Sequence, residues 1–139
     1  GRRITEEQAL DYVLGYTCGN DVSERIIQRA EMAQRALLVG KGFDTFTPLG
    51  PVIATGLDAT NIDVIARVNG EERQRSNTSD LIFSVAQLVS YISQAITLMP
   101  GDVIMTGTPS GVSPIVPGDT VEIEISGAGT LSNPVIEES

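Results

Sequence analysis

At 139 residues, with 41% hydrophobic and 19% charged side chains, the chain has the size and composition expected of one globular unit spanning residues 1–139. A formal net charge of −9 argues against binding a phosphate backbone, and no apolar run approaches the roughly 20 residues needed to cross a bilayer, so neither nucleic acid nor membrane is an expected partner. There is no histidine and one cysteine, Cys18, which excludes Ser-His-Asp triads, Cys-His dyads, HExxH sites and mixed Cys/His metal sites within these residues. A metal would have to be held by oxygen, which favours the hard cations Mg2+, Mn2+ or Ca2+. With no internal disulfide possible and no secretory pattern at the start, the cytoplasm is the expected compartment.

In chain order, Thr5 and Gln8 form a capping-box pair with Glu6 and Glu7 in the first turn, so a short helix is expected there. Residues 13–18 read as a buried strand ended by Gly19-Asn20, and a helix is expected over 23–36, which puts Asp21 at a strand-to-helix junction. Residues 40–51, punctuated by Gly and Pro, make a long connection and a candidate functional loop, and it carries Lys41. Residues 62–68 alternate as a strand does, and Asn69-Gly70 predicts a type I′ hairpin with positive φ at both positions. Over 83–98, Val85, Leu88, Val89, Ile92 and Ile96 recur at helical spacing and predict a stripe facing the core. Pro100-Gly101-Asp102 and Pro117-Gly118-Asp119 each suit a type II turn launching a strand, over 103–105 and 121–125, and 127–136 reads as a hairpin-like return. The expected fold is α+β, a β-rich mixed roll of mostly antiparallel strands with two or three flanking helices.

Among residues that carry chemistry, Asp21 before a helix is by itself an N-cap or turn residue. Gln28 lies seven residues, or two helical turns, further on and can share a face with the helix entrance, so a polar cluster competes with a plain solvated position. Lys41 reads either as a solvated loop lysine or as an ammonium able to swing over a bound anion. Thr106-Gly107-Thr108-Pro109-Ser110-Gly111 offers hydroxyls and Gly-freed backbone N–H groups, which suit an anion cradle as well as an ordinary glycine turn.

Gly15-Tyr16-Thr17, Asn20-Asp21-Val22-Ser23, Arg25, Gln28, Lys41, Asp44-Thr45-Phe46, Pro48-Leu49-Gly50-Pro51, Asn77-Thr78, Pro100-Gly101-Asp102-Val103-Ile104 and residues 106–112 follow one another at characteristic spacings. In that order they resemble the fumarylacetoacetate hydrolase domain proteins, over essentially the whole chain. The resemblance implies that Asp21 ligates a metal, that Gln28 and Lys41 are catalytic groups facing the substrate, and that Arg25, Thr106, Gly107 and Thr108 bind it. It further implies a homodimeric enzyme dependent on Mg2+, Mn2+ or Ca2+ and acting on a small anionic 2-oxo or 1,3-dicarbonyl acid, by C–C bond hydrolysis or decarboxylation of the acylpyruvase or fumarylacetoacetase kind. The chemistry is consistent: a hard cation chelating a 2-oxo acid acts as a Lewis acid when the neighbouring bond breaks to an enolate, and the Lys41 ammonium steadies the developing charge.

Family members carry a Glu-x-Glu pair on a strand shortly before the helix expected at Thr5, and several carry a His-Glu pair on an N-terminal lid. Neither lies in this chain, so the sequence is expected to be a C-terminal fragment lacking the N-terminal part. Ile26 stands where members often have Asp after the residue matching Arg25. The alternative expectation is a catalytically silent ligand-binding or scaffold domain of the same fold without a complete metal site, and a third has a partner chain supplying the missing ligands.

Overall fold

In the computed structural model, which describes residues 1–137, Asn69 and Gly70 adopt φ 52° and 79°, the pair of positive angles a type I′ turn requires. They join β3 (Asp63–Val68) to β4 (Glu71–Asn77). β3 also pairs with β5 (Thr120–Ile125), and β5 with β6 (Gly129–Pro134), giving an antiparallel sheet in the order β4-β3-β5-β6. A second antiparallel pair, β1 (Tyr16–Gly19) and β2 (Leu49–Ala54), packs on the β5-β6 side. Its buried Cys18 meets Val68, Val121, Ile123 and Leu131 in one apolar cluster. The helices are α1 (Arg25–Ala33), α2 (Val85–Ala95) and short 3-10 segments. The mixed α+β architecture with antiparallel sheets is therefore the expected one, and no helix among the described residues is long and apolar enough to cross a membrane.

A second cluster, Ile4, Ala9 and Val89, straps the N-terminal segment to α2. Ser93, fully buried, accepts the Ile4 N–H at 2.9 Å and donates to the Ser90 carbonyl at 2.8 Å, while its own carbonyl accepts the Arg3 N–H at 2.8 Å. α2 begins with a closed capping box: Ser84 Oγ accepts the Gln87 N–H and Gln87 Oε1 accepts the Ser84 N–H.

Several local expectations give way to tertiary context. The box expected at Thr5 does not form, because residues Glu6–Tyr12 wind as a 3-10 helix and Thr5 makes no side-chain cap bond. α1 is capped by Glu24, whose carboxylate accepts the Ile27 N–H at 2.5 Å, and it spans fewer residues than 23–36. On the α2 stripe Val89 is buried, but Val85, Leu88 and Ile92 are half-buried and Ile96 is 60% exposed, since among the described elements the helix packs chiefly on residues 1–12. Both Pro-Gly-Asp turns close, with Gly101 at φ 95° and Gly118 at φ 98°. Only the second launches a strand: β5 finds β3 and β6 on its two sides, whereas residues 103–105 join no described sheet. A turn can aim a chain, but a strand needs neighbours for its backbone groups.

Candidate functional site

β1 delivers the chain to Asn20, and two backbone bonds then carry it alongside residues 46–48: Asn20 N–H to the Pro48 carbonyl at 3.1 Å and Val22 N–H to the Phe46 carbonyl at 3.0 Å. Asp21 lies between these two bonds. Because Glu24 caps α1, the Asp21 carboxylate has no capping duty. Its Oδ2 instead accepts from Lys41 Nζ, which also donates to Ser23 Oγ at 3.2 Å. The two charged side chains keep 43% and 30% exposure, so the pair faces outward and is open to a ligand.

The loop that carries Lys41 is braced in two ways. Gly40 presses on α1 so closely that a Cβ there would lie 2.9 Å from the backbone N and Cα of Gln28, while the Gly40 carbonyl accepts the Glu24 N–H at 2.8 Å. Glu31 reaches from the same helix and accepts three successive backbone N–H groups, from Leu38 at 3.2 Å, Val39 at 2.6 Å and Gly40 at 2.9 Å. The sequence reading passed over Glu31. Its spacing of three from Gln28, which puts both on one helix face, was the available signal.

Glu31's partners give it a pH signature. The Gly40 N–H foremost, with those of Val39 and Leu38, holds its carboxyl below the ordinary value of 4.5. A carboxyl depressed in the folded state stabilises the loop above that ordinary value, and the contribution is lost as pH falls through the depressed one. The Val39 and Gly40 amide resonances are therefore expected to stay constant from neutral pH to about 4.5 and to shift together below it. A midpoint at or above 4.5 would count against the brace.

Gln28 is not a solvated helix position: it is 8% exposed, and its Oε1 accepts from Arg25 Nη1 at 2.6 Å. It makes no hydrogen bond to Asp21; the two are linked through the loop, where Gly40 backs onto Gln28 and Lys41 reaches Asp21. The 106–111 segment approaches from another direction. A side chain at Gly19, the last residue of β1, would meet Met105 Sδ at 3.0 Å, so the segment starts two residues from Asp21 in the chain path. Thr106, Gly107 and Thr108 are exposed, and Gly107 holds φ 106°. Thr108 Oγ1 accepts from Gln74 Nε2 at 2.9 Å, a β4 residue that the sequence reading also missed.

An ammonium, a carboxylate and a run of exposed hydroxyl and backbone donors suit a small anionic ligand. For a cation, Asp21 offers one carboxylate, and no group of three His, Cys, Asp or Glu capable of holding a metal occurs among the described residues. These residues therefore do not make a metal site unaided, since affinity grows with the carboxylates that converge.

Comparison with known proteins agrees with this architecture. The profile of a family described as Fumarylacetoacetate (FAA) hydrolase C-terminal matches residues 1–136. The structure of a 5-carboxymethyl-2-hydroxymuconate delta-isomerase from Mycobacterium smegmatis superposes with a TM-score of 0.95 at 48% identity, covering 99% of this chain and 54% of that one. A fumarylpyruvate hydrolase from Pseudomonas aeruginosa, solved in complex with Mn2+ and pyruvate, gives 0.93 at 38% identity, covering 99% and 60%. A mitochondrial oxaloacetate tautomerase of Xenopus laevis is 44% identical over 146 residues, 98% of this chain and 46% of the relative. The chain spans about half the length of the curated relatives it matches. With the profile match running nearly end to end and the fold shared at TM-scores above 0.9, the chain belongs to the fumarylacetoacetate hydrolase family and carries its C-terminal domain.

Proposed function

We propose that this chain supplies the anion-holding part of the active site of a divalent-metal-dependent enzyme acting on small 2-oxo or 1,3-dicarbonyl acids, by C–C bond hydrolysis or decarboxylation. The similar proteins named as an isomerase, a hydrolase and a tautomerase support the substrate class more than the bond broken. Enolate formation next to a carboxylate is common to all of these reactions, and it is the step that a fixed positive charge assists. The observation that carries the reading is Lys41: a half-buried ammonium beside Asp21, on a loop pinned by Gly40 and Glu31. In this proposal Lys41 steadies the enolate oxygen, Gln28 and Arg25 line the site from α1, and residues 106–108 hold the substrate's carboxylate. Asp21 is one ligand of Mg2+, Mn2+ or Ca2+, whose Lewis acidity would polarise the 2-oxo group, with further ligands from outside the described residues.

The test is to assay the native protein on oxaloacetate and a series of acylpyruvates, strip it with EDTA, and restore each cation in turn. Cation-dependent turnover is expected. An absence of turnover together with an absence of Mn2+ binding would favour the silent ligand-binding domain, the alternative that the lone carboxylate recommends. Lys41→Met adds an independent check: kcat is expected to fall by about 10²–10³, the scale of losing one donor at a developing oxyanion. Its melting temperature should hold, because an exposed ion pair contributes about 0–1 kcal/mol. A loss of stability that parallels the loss of rate would assign Lys41 to structure instead.

A homodimer forms part of the proposal. Large apolar residues such as Leu14, Ile82 and Tyr91 stay exposed, as residues at an interface do in an isolated chain.

A further inference from the structure

Gln74 projects from β4, half-buried, opposite Ala66 of β3. Its amide nitrogen lies 2.9 Å from Thr108 Oγ1, 2.9 Å from the Pro109 carbonyl oxygen and 3.4 Å from that of Ser110. Carbonyl oxygens can only accept, so they settle which end of the amide faces the loop: it is the NH2. That group has two hydrogens, and the two short contacts use them, one to Pro109 and one to Thr108.

The consequence falls on the Thr108 hydroxyl, which has one proton and two lone pairs. Gln74 takes a lone pair, and the proton is left to be given. Among the described residues, the acceptor within reach of that proton is the Pro109 carbonyl, which is 3.5 Å away, at the outer limit of a hydrogen bond, and also accepts from Gln74. Thr108 is exposed, so its proton is available to an acceptor that comes from outside. We propose that Gln74 is a positioning residue that fixes Thr108 as a hydrogen-bond donor to a carboxylate or carbonyl oxygen of the bound oxo acid. The inference rests on the reading of residues 106–108 as the anion cradle. It adds a preference: with one lone pair held by Gln74, the Thr108 proton is aimed at a ligand oxygen that accepts.

The test is a double-mutant cycle in the native protein, with pyruvate as the probe and Mn2+ at saturation, read as the dissociation constant by calorimetry. Gln74→Met keeps the volume and removes the N–H, after which the Thr108 proton can turn inward to the vacated Pro109 carbonyl. Thr108→Val removes the donor itself. Each change is expected to weaken pyruvate about tenfold, the scale of one hydrogen bond to a charged group, and the double variant no more than either alone. Were Gln74 only a brace for the loop, Gln74→Met would disturb the Gly107 backbone as well. It would then cost more than Thr108→Val, with extra loss in the double variant, and that result overturns the proposal. Pyruvate binding unchanged by Gln74→Met but weakened by Thr108→Val overturns this inference alone. Binding unchanged by Thr108→Val, or absent from the native protein, overturns the anion-cradle reading and this inference with it. Should Gln74→Met fail to fold, Gln74→Leu, which likewise removes the N–H and adds no charge, carries the same cycle with the same outcomes.

Discussion

Replacing Asp21 with Ala in the native protein is expected to weaken Mn2+ binding by at least about a hundredfold and to abolish cation-dependent turnover, with a melting temperature changed by a few degrees at most. The size follows from comparison with outer partners of a metal site, whose loss already costs about 10–100-fold in affinity; a direct carboxylate ligand costs no less. The fold is insulated from the change. The segment is tied down by the Asn20 and Val22 backbone N–H groups, α1 is capped by Glu24, and neither arrangement uses the Asp21 side chain. What the substitution removes is an outward-facing ion pair with Lys41, worth about 0–1 kcal/mol. That corresponds to a few degrees for a chain of this size. Mn2+ affinity left intact would mean that Asp21 serves Lys41 and not a cation.

The largest expected loss of stability comes from Gly111→Ala. A Cβ at Gly111 would lie 2.1 Å from the Arg73 carbonyl oxygen, and that oxygen belongs to the β4 backbone, which cannot swing aside as a flexible side chain can. Gly111 also holds φ 101°, a conformation that costs a residue with a Cβ about 1–3 kcal/mol before any contact is made. Overpacking adds about 1–3 kcal/mol, so a total of about 2–6 kcal/mol is expected in urea unfolding, a large part of a typical folding free energy. Gly107 separates the two causes: its φ is 106°, but nothing lies within 4 Å of an added Cβ. Gly107→Ala should therefore carry the backbone cost alone. A Gly111→Ala variant no less stable than Gly107→Ala would mean that the 106–111 segment does not dock on β4 as described.

These two residues also mark where reading the sequence stops. The Asn69-Gly70 hairpin, both Pro-Gly-Asp turns and the position of Asp21 after a strand and before a helix are set by φ preferences and hydrogen bonds within a few residues, and all were legible. So was the family, because ordered motifs along the whole chain pointed to one. Other features were not legible. Glu31 and Gln74 look like ordinary polar surface residues until a loop from elsewhere lays its N–H groups or its hydroxyl against them.

Residues 103–105 and the α2 stripe are the same lesson in apolar form. Their pattern asks for a neighbour, and whether one arrives is not a property of the segment. By itself, then, the sequence determined the family, the turns and the identity of the charged groups, since those depend on residue chemistry and short-range geometry. Only the tertiary structure decided that Lys41 rests on Asp21, that Glu31 steadies its loop and that Gln74 sets the polarity of Thr108. Those contacts join residues 7 to 34 positions apart, and a hydrogen bond depends on where two atoms sit in space.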